Sequence, residues 1–147
     1  MKNLIAPLAA LLIATPALAD DIVRTETEKT VAEATDALVE TITGAGATVF
    51  ARVNHGAGAE SIGSDVGASE LLIFGNPAIG TPAIMDNRLA GLHLPLKILV
   101  YEDTDGQVWM AYETPEETLD DLDGISGDAE YLGKMAGALN NFVTKAQ

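Results

Sequence analysis

The sequence predicts a two-layer α+β sandwich, in which an antiparallel sheet carries its helices on one face. Three observations lead there. The elements run strand, helix, three or four further strands, then helices, an order that suits sequentially paired strands with helices segregated to one side. Two of the late strands alternate apolar and polar residues around Asp105-Gly106, a dipeptide that favours a tight hairpin. The first and last helical segments each place apolar residues at helical spacing on one stripe.

In chain order, residues 1–19 have the layout of an export leader: Lys2, an apolar run from Leu4 to Leu18, and Ala17-Leu18-Ala19 ahead of Asp20. The run is short and interrupted by Pro7 and Pro16, unlike a span of about 20 apolar residues. The expected organisation is therefore a cleaved signal peptide, 1–19, and one α+β domain, 20–147, released into the periplasm or secreted, with no membrane span after cleavage. Residues 22–28 alternate enough for a first strand. Thr30-Val31-Ala32-Glu33 is a capping box, in which hydroxyl and carboxylate satisfy free amides of the first helical turn. Val31, Ala34, Leu38 and Ile42 then form the buried stripe, and Gly44 and Gly46 end the helix.

Residues 47–53 read as the second strand, followed by a glycine-rich stretch with a short helix over 57–62. Residues 70–75 make a third strand too uniformly apolar to have a wet face. From Asn76 to Leu94 no period is evident, and Pro77, Gly80 and Pro82 favour irregular chain, which at that length is often functional. Leu96, Ile98 and Val100 alternate with Lys97, Leu99 and Tyr101 as the fourth strand; Val108, Met110 and Tyr112 alternate with Trp109 and Ala111 as the fifth. Thr114-Pro115-Glu116-Glu117 predicts another helix, with proline at its first position and a second capping box, ending near Asp123-Gly124. Asp128 is placed to cap a last helix whose face is Tyr131, Leu132, Met135, Leu139, Phe142 and Val143. A sheet covered on one side leaves the other free, which points to a homodimer.

Composition narrows the function classes. The chain has no cysteine, so disulfide bonds and thiolate chemistry are excluded. Its formal charge is −14, and losing Lys2 with the leader makes it one unit more acidic. The remaining Lys and Arg are scattered and form no basic stripe, which argues against nucleic acid. No Gly-x-Ser-x-Gly elbow, phosphate-binding loop, His-Glu-x-x-His or dinucleotide fingerprint occurs. From Leu119, the run LDDLDGISGDAE matches a calcium-binding loop at several places but has leucine at the first, where a carboxylate is required.

The candidate ligand-binding residues are Asn54, His55, Asn76, Arg88, His93 and Trp109. His55 and His93 are the only histidines and stand at strand–loop boundaries, where either could serve as a base or a ligand, or simply hold a turn. Asn76 could offer amide hydrogens to a carbonyl or anion, or bond its own backbone. Arg88 could clamp a carboxylate or phosphate. Trp109 and Tyr112 face opposite sides of their strand, so one of them serves the core and the other a contact or groove. Lys97 and Tyr101 share a face with Leu99, as the wall of an amphipathic pocket would. No metal site is assigned, since two histidines fall short of the three or four donors such a site takes. No cofactor is identified either.

Phe74-Gly75-Asn76-Pro77, Gly80-Thr81, Leu94-Pro95-Leu96-Lys97, Val100-Tyr101-Glu102-Asp103, Gly106-Gln107-Val108-Trp109 and Tyr112 together resemble the domain-of-unknown-function 302 family. Ala51-Arg52-Val53-Asn54-His55 and Ala59 extend that resemblance, which spans about residues 22–122. It implies a TATA-binding-protein-like β-α-β4-α sandwich, dimeric, with no established activity. Asn54 stands where the resemblance implies an acidic residue, and residues 120–147 look like an addition to the family core. The functional expectation is an exported, non-catalytic domain that binds a small molecule or a periplasmic protein. The alternatives are an enzyme using His55 as general base, or a metal or haem carrier.

Overall fold

A computed structural model describes residues 21–147; the signal-peptide reading of residues 1–19 lies outside the described residues. The strands are β1 (Ile22–Thr27), β2 (Thr48–Asn54), β3 (Ser69–Gly75), β4 (Leu96–Glu102) and β5 (Val108–Glu113). They form one antiparallel sheet in the order β1-β5-β4-β3-β2. The helices are α1 (Val31–Gly44), α2 (His55–Glu60), α3 (Pro77–Asp86), α4 (Pro115–Leu119) and α5 (Glu130–Ala146), with a 3-10 turn at Arg88–Leu92. This is the α+β sandwich the sequence predicted.

The capping box at Thr30 forms as expected: Glu33 N–H donates to the Thr30 hydroxyl and Thr30 N–H to the Glu33 carboxylate. The amide of Thr30 and the hydroxyl of Thr30 hold the Glu33 carboxyl below its ordinary value. Helix α1 then lays Val31, Ala34, Leu38 and Ile42 against the sheet, where they meet Leu72, Phe74, Ile98, Val100, Met110 and Tyr112. Helix α5 completes that layer with Leu139, Phe142 and Val143, and the Phe74 and Phe142 rings meet edge-to-face at 5.6 Å between centroids. A second apolar cluster joins Ala83 and Ala90 to Leu119, Ile125, Leu132 and Met135. It lies beside the sheet layer and ties the 77–92 segment to α5.

Several local expectations differ from the structure. The segment 76–94 is ordered, as α3 and the 3-10 turn. Pro77 is its first helical residue, where a missing N–H is harmless, but Pro82 lies inside the helix. Burial of Ala83, with Ile79 and Ile84 packed on the second cluster, outweighs that local preference. The helix at Pro115 stops at Leu119 and continues only as turns to Gly124, whose φ of +88° suits glycine. Its capping box does not form. The amide of Thr114 joins the carbonyl of Asp21, and its hydroxyl is buried with no partner among the described residues. Asp128 does not cap α5 either: Ala129 holds that position, and the Asp128 carboxylate accepts from the Ser126 hydroxyl.

Candidate functional site

Beyond the core, a cavity of about 640 Å3 opens at one end of the sheet, within the roughly 300–1,000 Å3 of small-molecule sites. Its walls are built by local features of the sequence. A bulge between Val49 and Ala51 leaves Phe50 outside the regular register of β2, 57% exposed on the rim. The exit of β3 passes between Phe50 and Pro95. A methyl group placed on Gly75 would lie 3.4 Å from the Phe50 ring and 3.5 Å from Pro95, so glycine permits that close passage. The Leu94–Pro95 peptide is cis, and Leu94, Pro95 and Leu96 line one side.

Helix α3 supplies Ile79, Gly80, Thr81 and Ile84 from the second side. Helix α5 closes the third with Met135, Gly137, Ala138, Asn141 and Phe142. Tyr131 at the start of α5 donates its hydroxyl hydrogen to Asp86 at the end of α3, at 2.8 Å, fixing the two walls to each other. Burial and then the Asp86 carboxylate push the Tyr131 phenol up to about 12. The lining is apolar apart from Asn76, Thr81 and Asn141.

Of the six residues expected to bind ligand, Asn76 lines this cavity. Its Oδ1 accepts from Ala78 N–H at 2.9 Å and so caps α3. Arg88 opens the 3-10 turn, exposed and without an ion pair among the described residues, and His93 closes that turn through its own backbone amide. Asn54 and His55 stand at the far end of the β2–β3 pair. There Asn54 opposes Glu70, whereas Thr48 opposes Gly75 at the cavity end. Six residues of strand, about 20 Å, separate the two ends.

At the far end the polar groups are closed among themselves. Asn54 Oδ1 accepts from Ala57 N–H at 2.7 Å, and its amide donates to Glu70 at 3.0 Å. Arg52 bridges Glu70, at 2.6 Å, and Asp36, at 2.5 Å. Burial works against the Arg52 charge, but the two carboxylates outweigh it and hold its pKa above the ordinary value. His55 is the first residue of α2 and is exposed. Its ring makes no hydrogen bond among the described residues.

Trp109 lies on the sheet face away from the helices, as strand alternation places it opposite to Tyr112, which is buried in the core. Its indole N–H donates to Asp103 at 2.8 Å and clamps the β4–β5 turn. That bond, followed by the Gln107 amide, holds the Asp103 carboxyl below its ordinary value. The same open face carries a smaller groove of about 320 Å3 lined by residues that include Arg24, Leu71, Lys97, Leu99 and Tyr101. Lys97, Leu99 and Tyr101 thus form one wall, as the sequence suggested. Among the described residues no cluster of three or more His, Asp or Glu side chains could hold a metal ion.

Sequence reasoning did not find Phe50, Ile79, Thr81, Ile84, Met135, Gly137 or Asn141 as site residues. The signal that was present is Asn76-Pro77: a capping residue followed by proline at the first helical position marks a helix start.

With the site laid out, comparison with known proteins adds a family. Residues 23–142 match the family model described as "Domain of unknown function DUF302". The chain belongs to this family. The match takes in most of α5, farther than the motifs legible in the sequence, so the C-terminal helix lies within the family's extent. A solved structure, of an uncharacterized conserved DUF302 protein from Bacillus stearothermophilus, superposes with a TM-score of 0.79. It shares 18% identity, covering 88% of this chain and all of that one, and shows the same fold. Over 94 residues the chain is also 40% identical to proteins named Fluoride-specific ion channel FluC 1 from Brucella suis and Brucella abortus. Those stretches cover 64% of this chain but only 37% and 35% of the Brucella proteins, so it spans about a third of their length.

Proposed function

We propose that this DUF302 domain is exported and works by binding, holding a small molecule in the cavity between α3 and α5 rather than transforming it. The observation that carries the reading is the cavity itself: about 640 Å3, walled by apolar side chains, with Asn76, Thr81 and Asn141 as its polar points. The leader-like residues 1–19 support export. The protein acts as a homodimer in this reading. The open sheet face carries Arg24 and Lys97 against Glu26 and Glu113, with Asp103 beside Trp109 at its edge, so it is closer to neutral than the acidic chain as a whole. Two copies could approach there without the repulsion felt elsewhere.

A partner protein is the second reading, favoured by the Brucella relatives. No helix among the described residues is long and apolar enough to cross a membrane. What the chain shares with those named channels is, on this reading, a domain appended to the conduction path. An enzyme using His55, or a metal or haem carrier, are the remaining alternatives.

Native mass spectrometry on protein purified from its export compartment, without added metal or chelator, tests the proposal. A dimer bearing a reproducible extra mass is expected. Bare polypeptide mass would overturn small-molecule binding and leave the partner reading. Turnover that disappears in His55→Ala would overturn the non-catalytic reading.

A further inference from the structure

The chemistry of the cavity wall restricts what can fill it. The chain is 20% charged residues, yet no Asp, Glu, Lys, Arg or His lines the cavity. A buried charge on a ligand would find no counter-charge there, and desolvating it unpaired would be unfavourable. The few polar groups present are neutral.

Among these, Asn76 has a settled orientation. Only its oxygen can accept from the Ala78 amide, so the nitrogen is left as a donor, and it makes no other hydrogen bond among the described residues. The cavity therefore offers that position to an acceptor, such as a carbonyl or ether oxygen.

Gly137 stands on the α5 wall of the cavity and supplies a second point at which to test it. It lies inside α5, where glycine is less favourable than alanine. A methyl group placed there would meet nothing within 4 Å, as is also true of Gly133 on the same helix. Gly137 lines the cavity. A longer side chain at this position would project into the room a ligand needs.

We infer that the cavity takes an uncharged ligand with an apolar body and a hydrogen-bond-accepting oxygen, which receives the Asn76 amide. The inference rests on the binding reading above and names the ligand class for the same site.

A matched set of fluorescent probes tests it. Prodan is a neutral naphthyl ketone, and 1-anilinonaphthalene-8-sulfonate is an anionic naphthalene. Titrations are run in about 1 M salt, where a Debye length of about 3 Å removes general repulsion by the acidic protein. Prodan is expected to bind saturably and at least about tenfold more tightly than the sulfonate, a gap of about 1.4 kcal/mol. Gly137→Leu is expected to weaken prodan about tenfold while raising the melting temperature, because leucine favours the helix. A merely structural glycine would not separate those two readouts. Asn76→Asp keeps an oxygen to cap α3 but removes the donor, and is expected to weaken prodan by a similar factor, about tenfold.

Equal or tighter binding of the sulfonate would overturn the ligand class, as would prodan affinity unchanged in both variants. If neither dye binds while the purified protein still carries an extra mass, the class fails and the binding reading stands. If there is neither dye binding nor extra mass, both fail.

Discussion

The two ends of the β2–β3 strand pair use one local device and reach opposite results. At each end an asparagine leaves a strand and caps the helix that follows: Asn54 for α2, Asn76 for α3. At the Asn54 end the side-chain amide donates to Glu70, which also holds Arg52, so the polar groups close on one another. At the Asn76 end the spare amide is left beside a cavity with no charged lining. The motif does not decide whether an asparagine is structural or available. Its neighbours across the sheet do.

That contrast can be broken or sharpened by substitution. The largest effect should come from Phe74→Ala, which removes a fully buried ring from the floor of the cavity end and its contact with Phe142. A loss of about 3–5 kcal/mol in urea unfolding is expected. A loss below about 1 kcal/mol would mean that the cavity floor is not part of the core.

Next, Asn54→Ala should destabilise by about 2 kcal/mol, combining a lost cap with a partly buried Glu70 deprived of a donor. Asn76→Ala should cost about 1 kcal/mol, the cap alone. Equal losses in the two variants would erase the distinction between a closed end and an open one.

The smallest effect is expected for Tyr131→Phe, about 0.5–1 kcal/mol at neutral pH, from the hydrogen bond to Asp86 that joins α5 to α3. Its pH dependence is more diagnostic. The phenol is raised from its ordinary 10.0 to about 12, so the folded state retains a proton that the unfolded chain loses first. The stability this provides is complete below pH 10 and is lost as pH rises through 12. Urea midpoints measured from pH 9 to 12 should fall less steeply in Tyr131→Phe than in the parent. An unchanged slope would place the alkaline sensitivity elsewhere; Tyr112, also raised by burial and then by Glu116, is the next group to replace.

How much could be read beforehand depended on how local the cause was. The capping box at Thr30, the α1 stripe, the Asp105-Gly106 hairpin and the α5 face were all legible, because each arises from residues within one or two turns of each other. Asn76 was legible as a notable residue for the same reason. Helix α3 was not, since Pro82 and Gly80 argue against a helix and only Ala83, Ile79 and Ile84 packed on α5 reverse that. The capping box at Thr114 and the cap at Asp128 had suitable residues but lost to other partners: the Asp21 carbonyl for the Thr114 amide and the Ser126 hydroxyl for the Asp128 carboxylate.

By itself, then, the sequence determined the α+β class, the order of the strands and of the helices other than α3, the main apolar stripes and the acidic, cysteine-free character of the chain. These follow from periodicity, turn chemistry and composition, which short stretches carry alone. Only the tertiary structure decided where the cavity lies. Its walls come from a bulge in β2, the Leu94–Leu96 crossing, α3 and α5, segments far apart in sequence. Which of the expected residues face one another is likewise a question of how those distant segments pack.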